Sequence, residues 1–191
     1  MPTVGADIEL RAIYGRSATE LYIVGKGGNV FRGDGAQWTP LPSPTTDDLI
    51  AIWAAGPQDI YVVDASGRAW HYVNSTWTEL AIGTGYRAVW GSAANDVWLA
   101  GDGGKLAHGN GSTWNTTVES GVRETLLAID GSSATDLFAV GIGTITHYNG
   151  TTWSPIRAAH IEDLRAVAVT PTRVFVGYDS ASGGTDILLR P

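Results

Sequence analysis

The sequence predicts an all-β fold: a five-bladed β-propeller of four-stranded antiparallel blades, its ring closed by the N-terminal strand. Two spacings and one pattern carry this prediction. Trp38, Trp77, Trp114 and Trp153 recur 39, 37 and 39 residues apart, and Ala12, Ala51, Ala88, Ala128 and Ala166 recur 39, 37, 40 and 38 apart. Between these markers lie apolar runs of about four residues, too short for helices, separated by Gly and Asn. Self-similarity at a period near 40 is the mark of stacked supersecondary units that share one core.

The copies fall at about 10–48, 49–85, 86–124, 125–162 and 163–191, within one domain spanning 1–191. In the first copy, strands are expected at Leu10–Tyr14, Leu21–Val24, Val30–Arg32 and Trp38–Leu41. The second-strand equivalents Ile60–Val63, Val97–Ala100 and Leu137–Val140 are apolar throughout, as in strands buried on both faces. Gly27-Gly28, Ser66-Gly67, Gly103-Gly104, Asn110-Gly111 and Asn149-Gly150 supply the positive φ of tight hairpins. A small four-stranded sheet repeated at this period and apolar on both faces is a propeller blade. The first strand, with its Ala, is expected to line the crowded axis. The fifth copy has no Trp and ends after its third strand, so residues 2–7 are expected to supply its fourth and hide the open edge.

Composition narrows the function classes. The 191 residues include no Cys, which excludes disulfides and Cys-based zinc sites. The formal net charge of −7 disfavours nucleic acid, which needs a basic groove. No apolar run approaches the roughly 20 residues of a membrane span. Met1 is followed by PTVGADIEL, which has neither the basic start nor the apolar core of a leader, so any leader is expected to be absent from this chain.

Val89-Trp90-Gly91-Ser92, Asp96-Val97-Trp98 and His147-Tyr148-Asn149-Gly150 resemble a repeat of bacterial secreted and cell-surface proteins. Its unit reads Val-Trp-Gly-Ser, Asp-Val-Trp, a Gly turn, His-Tyr, Asn/Asp-Gly and Trp. The turn before each Trp is also similar to the Asp-box hairpin of sialidase-like propellers, with Asn in place of Asp. The resemblance implies a non-catalytic propeller, extracellular or at the bacterial cell surface. The fifth copy lacks both the Gly-Ser turn and the Trp.

Each candidate site also admits a structural role. Arg32, His71, His108, His147 and Arg190 share one third-strand position. Zinc needs its ligands about 2 Å from one point, and equivalent strands of different blades diverge, so these residues are expected to bond adjacent turns and no metal is expected. Glu20, Asp59, Asp96 and Asp136 precede the second strand. Glycoside hydrolysis needs two acids about 5–10 Å apart, but an acid repeated in four copies is what a structural turn requires. Arg11, Arg87 and Arg165 precede the Ala in alternate copies, where they form salt bridges or receive an anion.

The aromatic residues are the leading binding candidates. Trp38, Trp77, Trp114 and Trp153 follow polar turns, as a sugar-stacking Trp would, or else they wedge blade against blade. Tyr14, Trp53 and Trp90 end the first strands, and Asp130 and Ala168 break that series in copies four and five. Three motifs are set aside: Arg32-Gly33-Asp34, the glycosylation-type sequons at Asn74, Asn110, Asn115 and Asn149, and Gly101–Gly104, which opens no helix.

The function expected is a non-enzymatic, cofactor-free, monomeric recognition module that presents blade loops to a glycan or protein partner. The rivals are a glycoside-hydrolase-like enzyme with an axial pocket, and an excised or engineered propeller without activity of its own.

Overall fold

The computed structural model describes residues 8–156 and 163–178, and the backbone of 184–189. The expected closing strand at 2–7 and Arg190 lie outside these residues. The chain divides into two compact units, Met1–Gly85 and Tyr86–Pro191.

The first unit holds two four-stranded antiparallel sheets, ordered in space as in sequence. Blade I is β1 (Leu10–Ser17), β2 (Glu20–Gly25), β3 (Val30–Gly33) and β4 (Trp38–Pro40). Blade II is β5 (Leu49–Gly56), β6 (Asp59–Asp64), β7 (Ala69–Val73) and β8 (Thr76–Glu79). Tyr22, Val24 and Val30 of blade I pack on Leu49, Ile52, Ile60 and Val62 of blade II. β6 is buried along its apolar length, as its unbroken Ile-Tyr-Val-Val run requires.

The second unit repeats the plan. Blade III is β9 (Tyr86–Ala93), β10 (Asp96–Gly101), β11 (Leu106–Gly109) and β12 (Trp114–Val118). Blade IV is β13 (Leu126–Ser133), β14 (Asp136–Gly141), β15 (Thr144–Tyr148) and β16 (Trp153–Pro155). A three-stranded sheet follows: β17 (Leu164–Val169), β18 (Arg173–Tyr178) and β19 (Gly184–Leu189). Ala88, Trp98 and Leu106 pack on Leu126, Ile129 and Leu137, and Val140 and Ile145 pack on Leu164, Val174 and Val176. Burying one such aliphatic side chain contributes about 1.5–3 kcal/mol, so each pair of sheets is held by its apolar faces.

Two local devices recur. The repeat Ala pairs across the first hairpin in every copy: Ala12 with Val24, Ala51 with Val63, Ala88 with Ala100, Ala128 with Val140 and Ala166 with Gly177. The residue just before it is skipped by the register, a β-bulge that re-aims that side chain. Arg11, Arg87 and Arg165 are such bulge residues. The second device is the turn before the Trp. Asp34 Oδ1 accepts the amides of Ala36 and Gln37 at 2.8 and 2.7 Å. Asn110 and Asn149 do the same for Ser112–Thr113 and Thr151–Thr152. The first copy therefore carries the Asp that the sequence comparison saw only as Asn, and Asp34 is a turn cap.

Candidate functional site

The acid before the second strand and the His of the third strand form one unit. The acid stands two residues before an aromatic in the same strand, so both point to one face of the sheet. The His is the cross-strand partner of that aromatic: Tyr61 with His71, Trp98 with His108, Phe138 with His147. Each imidazole therefore lies over a ring, at centroid distances of 4.0, 3.9 and 4.3 Å. Its Nε2 reaches the acid: His71 to Asp59 at 2.8 Å, His108 to Asp96 at 2.6 Å, His147 to Asp136 at 2.9 Å. A carboxylate only accepts, so Nε2 carries the proton. Ser92 and Ser132 donate to the second oxygens of Asp96 and Asp136.

Blade I keeps the plan with other residues. Arg16 Nη1 and Tyr22 Oη donate to Glu20 at 2.7 and 2.8 Å. Burial pushes the Glu20 carboxyl up, but the bonds from Tyr22 and Arg16 outweigh it and leave it below its ordinary value. In the units of blades III and IV, among the described residues, the Ser hydroxyl and the imidazole each bond the Asp, which is not the wiring of a nucleophile and its base.

The per-blade Trp residues pack. Trp38 and Trp114 lie across Gly33 and Gly109, their cross-strand partners, where an added Cβ would come within 2.7 and 2.4 Å of the rings. Trp77 lies 5.0 Å from Tyr72 and its Nε1 donates to the Pro42 carbonyl at 2.7 Å. Trp153 is 7% exposed, edge-on to Trp98 at 5.5 Å. The reading of Trp153 as a sugar-stacking ring is corrected on that ground, because a stacking ring needs an open face. Trp38, Trp77 and Trp114 are half-buried, each with one face already covered.

The first-strand aromatics divide similarly. Trp53 is buried, between Tyr14 at 6.3 Å and Tyr61 at 5.9 Å. Its indole is closed to a ligand by that burial. In the second unit Trp90 leans on Gly131 and its indole donates to Asp130, whose Oδ2 also accepts the Val169 amide at 2.6 Å. Three sheets thus meet at one carboxylate. Burial there pushes the Asp130 carboxyl above its ordinary range, against the bonds from Val169, Gly131 and Trp90.

The bulge arginines are mostly paired. Arg11 reaches Glu9 at 3.0 Å and Asp48 at 3.3 Å. Arg87 grips Asp102 with Nε and Nη2 at 2.9 and 2.8 Å, and this two-pronged bond holds the Asp102 carboxyl below its ordinary range. Arg165 is exposed.

A feature the sequence reading missed lies on blade III. A groove of about 650 Å³ runs between the turn at Asp102–Lys105 and the segment Thr116–Arg123. Its walls are polar, with Lys105, Arg123, Asp102 and Glu119 along it. Lys105 Nζ sits 4.6 Å from the Tyr86 ring centroid. The signal in the sequence was the connector after Trp114, which runs Asn115–Thr125 with no strand-like alternation beyond Val118.

No protein-family model matches the chain. The immune protein Tsi7 of Pseudomonas aeruginosa is 33% identical over 82 residues, 42% of this chain and 27% of that protein. The chain thus spans about a quarter of that relative's length. Among solved structures, YCF48 bound to D1 peptide aligns with a TM-score of 0.67 at 14% identity, over 95% of this chain and 67% of that one. The C-terminal WD40 domain of Sif2 aligns at 0.75 and 10% identity, over 99% of this chain and 57% of that one. At these identities the likeness shows the fold: the chain is a propeller repeat protein of four-stranded antiparallel blades.

Proposed function

We propose that the chain is a non-catalytic scaffold that binds a protein partner, with the blade III groove as the contact. One observation carries the reading. The acids and histidines that could serve catalysis are paired with one another blade after blade, in the same geometry, whereas a catalytic pair breaks repeat symmetry. A hydrolase would need two acids of perturbed affinity in one cleft. Among the described residues Asp130 is the acid whose carboxyl is pushed up, and its oxygens are taken by Val169 and Trp90. A groove lined by both signs of charge suits a polar polypeptide segment better than a small apolar ligand.

The relatives lend support of a limited kind: one is called an immune protein, and one neighbour holds a peptide. The proposal keeps the secreted or cell-surface setting and the monomeric state. It also keeps five blades, with residues 2–7 completing the three-stranded fifth sheet. Deleting residues 1–7 should then lower the melting temperature or produce oligomers by light scattering.

The test is selection from a displayed peptide library on the immobilised chain, beside a glycan array. Peptides whose binding is lost with Lys105→Glu and Arg123→Glu support the scaffold. Glycan binding abolished by Trp38→Ala or Trp114→Ala, with no groove-dependent peptide, would replace it with a lectin.

A further inference from the structure

The Gly-Gly turns of blades I and III are copies of one another down to the connectors that follow them. Gly28 and Gly104 are both at positive φ, 76° and 73°. An added Cβ at Gly28 would strike the Thr45 carbonyl and Ser43 Oγ, and one at Gly104 would strike the Val122 carbonyl and Ser120 Oγ. Ser43 Oγ donates to the Thr45 carbonyl as Ser120 Oγ does to that of Val122. Three residues after Thr45 comes Asp48, whose carbonyl accepts the Ala65 amide. Three after Val122 comes Thr125, whose carbonyl accepts the Ile142 amide. Asp48 and Thr125 therefore hold one structural position.

Their side chains differ in what they do. In blade I, Asp48 Oδ1 accepts the Gly27 amide at 3.0 Å and its Oδ2 accepts Arg11 Nη2 at 3.3 Å. The Gly27 amide and Arg11 hold this carboxyl below its ordinary value. In blade III the equivalent amide is that of Gly103, at φ 65° against 66° for Gly27. Thr125 brings no carboxylate to it, and no acceptor for that amide is found among the described residues. Gly103 is exposed, with open space where a Cβ would stand. The 650 Å³ groove opens on this turn, with Lys105 beside it and Arg123 on the far wall.

We infer that the Gly103 turn is a receptor for an acidic side chain of a protein partner, which takes in trans the place Asp48 takes in cis. The inference rests on the scaffold reading and gives its groove a specificity. A carboxylate bonded to a backbone amide makes a charge-assisted bond, stronger than a neutral one, and Lys105 on the groove wall adds a favourable charge. Glu119 on the far wall, and Asp102 beside Gly103 and held by Arg87, repel a run of carboxylates.

The test uses the whole chain and its amide spectrum, with sodium acetate as probe and sodium chloride at equal ionic strength as control. The Gly103 amide proton should move downfield and saturate with acetate, and not with chloride. Thr125→Asp should abolish the response by filling the site from within. Asp48→Thr should make the Gly27 amide respond in turn, and Lys105→Gln should weaken the Gly103 response several-fold. A Gly103 amide indifferent to acetate, or equally responsive in Thr125→Asp, overturns the inference. Selected peptides that bind the groove but carry no Asp or Glu would sink the carboxylate while leaving the scaffold standing.

Discussion

His108 lies parallel to Trp98, ring over ring at 3.9 Å and 9°, and from that position its Nε2 reaches Asp96 at 2.6 Å. The stack and the bond share one imidazole, so each fixes the other. Blades II and IV repeat it with Tyr61 and Phe138. The unit ties the start of the second strand to the third strand of the same sheet.

Removing the acceptor should therefore cost more than removing the donor. Asp96→Ala removes the bonds of both His108 and Ser92, whereas His108→Ala removes one and leaves Asp96 with Ser92 and solvent. Losing one such bond costs about 1 kcal/mol, with a further 1–3 kcal/mol where a polar group is left buried and unpaired. Denaturant unfolding of the two single variants and the double variant checks this. Equal losses in the two singles would overturn the asymmetry, and additivity in the cycle would mean the pair is not coupled.

The Trp series should report packing. Trp153→Ala should cost about 3–5 kcal/mol, the usual loss for a buried aromatic. Trp38→Ala, with its ring half-exposed, should cost distinctly less. Trp77→Phe keeps most of the contact with Tyr72 and loses the bond to Pro42, for about 1 kcal/mol. Thermal melts order the three; a Trp153→Ala protein as stable as Trp38→Ala would return that ring to the surface.

Much of this was legible in the sequence because strand chemistry repeats at fixed spacing. The Ala and Trp series marked the hairpins, and the acid and His series were both expected to be structural. The pairing of those two series was not legible, because it depends on the aromatic lying two residues after the acid and opposite the His. Asp34 was hidden by its place in an Arg-Gly-Asp string. The groove at Gly103 was hidden for a deeper reason. The Gly103 amide on it is uncapped because Thr125 stands where blade I has Asp48, and a missing cap is visible only once Asp48 is seen holding Gly27. Asp64 was likewise unmarked, though it is fully buried and accepts Arg68 Nε and Trp70 Nε1 at 2.8 and 3.0 Å.

Gly109→Ala tests how closely the hairpin approaches its Trp. The new methyl would lie 2.4 Å from the Trp114 ring, so the indole must leave the strand. Displacing a packed side chain in this way costs about 1–3 kcal/mol. Near-ultraviolet circular dichroism should change with the loss. An unchanged spectrum with wild-type stability would mean Trp114 is already mobile.

Asp130 makes a prediction with a definite sign. Its carboxyl is pushed up by burial, beyond what the Val169, Gly131 and Trp90 bonds pull down. The folded state therefore holds this proton more tightly than the unfolded chain does. Stability from the group is complete below the ordinary carboxyl value near 3.8 and is lost as pH rises through the higher folded value. Asp130→Asn cannot titrate, and its side-chain oxygen can still accept from Val169. The stability of the wild type minus that of Asp130→Asn, from denaturant unfolding, should fall as pH rises from 4 and then level off. A difference that grows with pH would mean the bonds to the carboxylate outweigh the cost of burying it. Asp130 would then be a clasp that tightens when ionised.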